Sequence, residues 1–139
     1  DITTRLVGSE MCIRDRIGGS AYKTTASRKR SLKELADFSF VSLSAGTGTN
    51  DLYVRFFYKN HLRFSPDMEV ATTDQILPMV RCNLGIGFCP EGIARPAIER
   101  KEVFEIELEE EIPERQITIV EDSGKPQSIA VQKLLTYFK

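Results

Sequence analysis

Residues 72–90 read TTDQILPMVRCNLGIGFCP, and their order decides the fold. Polar Thr72, Thr73 and Asp74 precede Ile76, Leu77, Met79, Val80 and Leu84, which fall near i, i+3/i+4, i+7/i+8. That spacing lays one face of a helix on a sheet. Gly85 stands where a helix end with positive φ favours glycine, and residues 86–89 form a short apolar run stopped by Pro90. Helix, glycine, strand and proline predict an α/β sheet with a crevice outside its strand ends.

Working outward on the N-terminal side, FSFVSL at 38–43 is apolar and aromatic enough for a strand. The loop SAGTGTN leads into a predicted amphipathic helix over 51–60, with Leu52, Phe56 and Phe57 inward. Upstream, Ser31 with Glu34 three residues later forms a capping box for a short helix, and 17–30 is a turn-rich, basic connection. Pro66 ends the loop before a second strand at 68–71. Downstream, RPAIE at 95–99 predicts a helix with proline near its first turn. VFEIEL from Val103 alternates apolar with acidic residues, the period of a half-buried strand, and QITIV at 116–120 is β-branched. The last helix is predicted over 128–138, burying Ile129, Val131, Leu134, Leu135 and Phe138. The alternation gives one open α/β sheet and part of a second.

The first sixteen residues, DITTRLVGSEMCIRDR, show neither periodicity nor a cap before an apolar run. The string RLVGSEMCIRDR resembles a translated sequencing-adapter read-through, so 1–16 is expected to be a non-native leader.

Composition bounds the function classes. The 139 residues carry 41% hydrophobic and 28% charged side chains, ordinary for a globular chain with a real core. A net charge of −1 gives no global attraction to nucleic acid or anionic membrane. No apolar run approaches the roughly 20 residues of a membrane-spanning helix, and no signal-peptide pattern opens the chain. Three cysteines without framework spacing predict reduced thiols and a cytoplasmic location.

Catalytic constellations are missing from the pattern. The one histidine, His61, sits between Lys59 and Arg63 and reads as a solvated loop residue. Cys82 and Cys89 are seven apart, without zinc spacing; Cys82 reads as packing on its helix and Cys89 as a strand-end thiol. Gly85-Ile86-Gly87 lacks the third glycine of a dinucleotide fingerprint and follows a helix. The acid-rich stretch 105–114 reads as a solvated strand face and turn. The expectation is no enzyme, no cofactor and no metal site.

Two loops are suited to hold a ligand. Ser44, Gly46, Thr47 and Thr49 lie between a predicted strand and helix, where free N–H groups and hydroxyls make an anion site. By itself, Thr49 or Asn50 merely capping the helix is the simpler reading. Thr72 and Thr73 occupy a second such junction. Two hydroxyl-rich junctions at one sheet edge carry more weight, because ligands of open α/β folds bind there.

The order of these elements resembles the effector-binding domain of LysR-type transcriptional regulators. The most specific part runs from Glu69 to Pro90, ending in Leu-Gly-Ile-Gly-x-x-Pro, and the Ile-Pro-x-Arg-x-Ile motif follows at 112–117. The resemblance covers 17–139 and implies a type 2 periplasmic-binding-protein-like fold holding a small, commonly anionic effector between two lobes. It implies that Ser44, Gly46, Thr47, Thr49, Thr72, Thr73, Phe88 and Pro90 face the effector. It further implies a cytoplasmic homo-oligomer, dimer or tetramer, contacting DNA only through an N-terminal helix-turn-helix and no membrane. That helix-turn-helix, its linker helix and the first half of lobe 1 have no counterpart in this sequence. The expected organisation is therefore a leader at 1–16, an inter-lobe connection at 17–30, one complete Rossmann-like effector-binding lobe 2 at 31–100, and the returning strands and C-terminal helix of lobe 1 at 101–139. Two alternatives share the fold: a transporter's type 2 solute-binding protein, and a bilobal enzyme, which would need acid/base residues where hydroxyls stand.

Overall fold

The computed structural model describes residues 4–12, 14–113, 115–122 and 124–137. In chain order the elements are β1 (Thr4–Cys12), β2 (Arg14–Gly18), α1 (Leu32–Leu35), β3 (Phe40–Leu43), α2 (Gly48–Lys59), β4 (Met68–Val70), α3 (Ile76–Arg81), β5 (Ile86–Pro90), α4 (Glu91–Glu99), β6 (Phe104–Glu105), β7 (Arg115–Asp122) and α5 (Ile129–Thr136). They divide into one unit of Asp1–Cys12 with Glu114–Lys139, and another of Ile13–Pro113. The mixed α/β order is the predicted fold class.

The larger unit is a five-stranded sheet in the order β4-β3-β5-β2-β6. Strands β4, β3 and β5 are mutually parallel, whereas β2 runs antiparallel to β5 and β6. The carboxyl ends of three strands therefore open at one edge. Pairing of Arg14 with Pro90 starts β2 at that edge, and pairing of Gly18 with Phe104 finishes it at the opposite one. The unit reaches beyond 31–100, because β2 and β6 are strands of its sheet. Of VFEIEL, only Phe104 and Glu105 pair as a strand, while Leu108 forms an isolated bridge with Arg30.

Strands β3 and β5 are buried on both faces, which is why they read as continuous apolar runs. On one side Phe40, Tyr53, Phe56, Phe57, Phe64 and Phe88 pack with Leu32, Leu35 and Ile86. The Tyr53 and Phe88 rings stack at 4.1 Å, and Phe40 meets Phe57 edge-on at 5.6 Å. Each such ring contributes about 1.5–3 kcal/mol by burial and each pair about 0.5–1.5 more. On the other side Val41, Leu43, Val70, Ile76, Val80 and Cys89 pack with Ala94 and Ala97 of α4.

The region 72–90 departs from its predicted detail at the helix end. Helix α3 stops with φ +61° at Asn83, not at Gly85. The Asn83 amide donates to Val80 and the Leu84 amide to Met79, the paired bonds of a Schellman motif. Asn83 also accepts from the Ala21 amide at 2.8 Å, which fixes the turn after β2. Gly85 is needed for close approach: a Cβ there would lie 2.7 Å from the Ser39 carbonyl oxygen. Gly87 lets α3 settle on the sheet, since its Cβ would meet Ile76 Cγ2 at 2.7 Å and Val80 Cγ2 at 2.9 Å. The same Schellman pairing ends α2 at His61 (φ +59°) and α4 at Lys101 (φ +59°). Side chains with a Cβ sit in all three left-handed positions, each at a cost of roughly 1–2 kcal/mol.

Three other expectations need correction. Helix α4 begins at Glu91 and carries Pro96 in its interior, because Pro90 already supplies the break that starts it. Helix α2 begins at Gly48 and is capped by Thr47; Tyr53 takes the inward place with Phe56 and Phe57, and Leu52 is half-buried. In α5, Leu135 is buried but Ile129, Val131 and Leu134 are exposed, and Phe138 lies outside the described residues. Its apolar residues are spread around the helix, so a single neighbour cannot cover them all. Among the described residues, its unit also holds the two-stranded antiparallel pair β1–β7, with Thr4 opposite Asp122.

Candidate functional site

Parallel pairing brings the two hydroxyl-rich junctions together. Leu43 pairs with Val70, so the loop after β3 and the loop after β4 emerge side by side. The Ser44 amide donates to the Val70 carbonyl at 3.1 Å, and its hydroxyl donates to the same oxygen at 3.3 Å. Pro90 closes β5, the other neighbour of β3, on the same edge.

Local hydrogen bonds already engage part of this set. Thr47 donates its hydroxyl to the Ser44 carbonyl at 3.0 Å and accepts from the Asn50 amide at 3.2 Å, so it is the N-cap of α2. Thr49 is buried, and Asn50 donates its side-chain amide to the Leu43 carbonyl, tying α2 to the end of β3. Gly46 is exposed with φ +86°, and a Cβ there would meet nothing within 4 Å. Left-handed geometry, not crowding, accounts for that glycine. The Gly48 amide, first in the helix, has no acceptor within it.

At the second junction, Gln75 accepts from the Ala71 amide at 3.0 Å and from the Thr72 amide at 3.3 Å. Thr72 is exposed and caps a single 3₁₀ turn that runs into α3, and Thr73, the first residue of that turn, is half-buried. Phe88 stands apart from the others. Its ring is only 2% exposed and stacks on Tyr53, because even positions of β5 face the aromatic core. It supports the edge from beneath and presents no face to solvent.

The charged side chains at the two helix starts are acidic. Asp51 in the first turn of α2 and Asp74 in the 3₁₀ turn complement the positive helix ends. What remains for a ligand is a set of backbone amides and threonine hydroxyls, suited to hydrogen-bonding a small polar group. The residues read as bland take other places: His61 is exposed at the end of α2, Cys82 is exposed and Cys89 buried. Cys82 thus does not pack on its helix. Glu110 does what the acidic run did not reveal: its carboxylate accepts from the Leu32 amide at 2.8 Å at the start of α1. Among the described residues there is no cluster suited to a metal ion, and no helix is long and apolar enough to cross a membrane.

The LysR substrate binding domain matches residues 19–139. The chain belongs to this family. The LysR match begins after the stretch that reads as a leader and takes in the whole candidate edge. The solved effector binding domain of QuiR in complex with shikimate is similar over 97% of this chain and 63% of that one, at 16% identity and TM-score 0.77. The regulatory domain of CcmR from Synechocystis PCC6803, in complex with 2-PG, covers 99% of this chain and 65% of its own at 17% identity and TM-score 0.79. The cofactor-binding domain of the Cbl transcriptional regulator gives 14% identity and TM-score 0.80 over 100% of this chain and 60% of its own. At such identities the likeness is one of fold. This LysR-family chain spans just under two thirds of the solved domains it resembles. No curated protein sequence matches it.

Proposed function

We propose that this LysR-family chain is the effector-sensing part of a DNA-binding transcriptional regulator, and that its ligand is a small, anionic metabolite. The observation that supports the reading is the shared edge of β3, β4 and β5, from which the loops carrying Ser44 to Thr49 and Thr72 to Thr73 emerge beside the strand end at Pro90. Backbone amides at helix starts favour negative ligand groups, and the hydroxyls of this edge supply direction. Two solved relatives hold polar metabolites, shikimate in one and 2-PG in the other.

On this reading the ligand is bound and released unchanged, and the domain does no catalysis. The full-length protein is a cytoplasmic homo-oligomer that contacts DNA through a separate helix-turn-helix segment. The ligand-facing lobe is built on residues 31–100, with β2 and β6 completing its sheet, while the β1–β7 pair and α5 are part of the other lobe. Family membership favours this over a transporter's solute-binding protein.

One lobe offers one wall, so affinity in this chain should be weak, with dissociation constants no tighter than about 1 mM, or about −4 kcal/mol. The test is an NMR titration with a series of small carboxylates, malonate to glutarate. The expected result is a set of shifts confined to amides of 44–50 and 71–75. No shift at any of these amides, or calorimetry showing tight binding, would refute the one-wall reading.

A further inference from the structure

A second recess lies at the opposite edge of the same sheet. It is an open groove of about 850 Å³ whose apolar floor includes Ile98, Val103 and Phe104. Ligand pockets commonly occupy about 300–1,000 Å³. Gly18 pairs with Phe104 where β2 ends, so this groove is a full strand length from the Ser44 and Thr72 junctions.

Its rim is cationic. Lys23 places its ammonium 5.7 Å from the Phe104 ring centroid, within cation–π range. Lys101 lines the groove from the end of α4. The one acidic residue of the lining, Glu105, is held by Arg16 at 3.5 Å, which leaves the lysine charges uncompensated. Neither lysine has an ion-pair partner among the described residues.

Lys101 adds an independent observation. It occupies the left-handed position of a Schellman motif, with its amide donating to Ile98 and the next amide to Ala97. Of the three residues in such positions, Asn and His are types that tolerate left-handed backbone, and lysine is not. Asn83 also has its bond to Ala21. A strained lysine where glycine would serve the backbone better points to a use for its side chain.

We infer that this groove binds an amphipathic anion, a carboxylate carried on an aromatic or short aliphatic body. The body lies on Ile98 and Phe104, and the carboxylate takes the Lys23 and Lys101 ammonium groups. The chain's net charge of −1 leaves two lysines too few for a nucleic acid, whose binding needs an extended basic surface.

The test is NMR titration of the whole chain with phenylacetate, phenylacetamide and acetate. Phenylacetate should move the signals of Thr24, Lys101 and Phe104 saturably. The neutral amide and the bodiless anion should each bind about tenfold more weakly. Lys101→Gly removes an ammonium at a backbone geometry that glycine prefers, so melting temperature should hold or rise while phenylacetate affinity falls about tenfold. Lys23→Gln should lower affinity with Lys101 intact. The inference is overturned if phenylacetate causes no saturable shift or if phenylacetamide binds as well. It is equally overturned if both variants bind like the parent, or if the shifts fall only at 44–50 and 71–75, which would assign the ligand to the other edge.

Discussion

Gly87→Ala tests the packing of α3 on the sheet. The added methyl would lie 2.7 Å from Ile76 Cγ2 and 2.9 Å from Val80 Cγ2, while the Val41 carbonyl oxygen at 3.6 Å is in ordinary contact. Both methyls belong to β-branched side chains with restricted χ1, and both residues are buried, so neither can swing aside. Overpacking of this kind costs about 1–3 kcal/mol. Replacing glycine within a strand returns roughly 0.5–1 kcal/mol of chain entropy. The expected net loss is therefore about 1–2 kcal/mol, read as a lower urea midpoint with unchanged slope. Val80→Ala removes one of the opposing methyls, so the double variant should be less destabilised than the sum of the singles by about 1 kcal/mol. A Gly87→Ala chain as stable as the parent, or strict additivity with Val80→Ala, would refute the close-approach account of this glycine.

Asn83→Ala removes the acceptor for the Ala21 amide and leaves a non-glycine residue at φ +61°. With both residues exposed, it should cost about 0.5–1.5 kcal/mol in urea unfolding, with Asn83→Asp milder because it keeps the acceptor. His61→Gly should raise stability by about 1 kcal/mol, since His61 has φ +59° at the end of α2; a fall in melting temperature would contradict it. Glu34 is held at about 2 by hydrogen bonds first from Arg28 and then from the Ser31 amide, against its usual 4.5. A lowered folded value means that the contribution is present above the unfolded carboxylate range and fades as pH drops from about 4.5 toward 2. An NMR titration should place the Glu34 midpoint near 2, and Arg28→Gln should move it upward.

Most of the fold was legible because its signals are local. The Ser31–Glu34 capping box forms as read, with Ser31 accepting from the Glu34 amide and Glu34 from the Ser31 amide. The apolar runs at 38–43 and 86–89 give strands at Phe40–Leu43 and Ile86–Pro90, so the first starts two residues later and the second takes in Pro90. What failed depends on partners distant in sequence. Asn83 rather than Gly85 ends α3 because its side chain meets Ala21, sixty-two residues earlier. The sequence places Phe88 near a strand end, yet which face it takes is set by pairing with β3 and by Tyr53 of α2. Thr47 as the helix cap was a matter of register along a loop of similar hydroxyls. The adjacency of the two junctions was inferable only from the rule for open sheets, and the β3–β4 register supplies it. The groove at the other edge had no sequence signal, since Lys23 and Lys101 are seventy-eight positions apart.

The larger unit is one unbroken stretch of chain, whereas the smaller one is assembled from both ends of the sequence. This sets an order of events in folding. Pairing Thr4 with Asp122 before anything else has formed means closing a loop of more than a hundred residues, at an entropic cost that grows with its length. Once residues 13–113 have collapsed, the same pairing joins the two ends of an already compact body. The continuous unit should therefore act as the nucleus and the β1–β7 ribbon as its late addition.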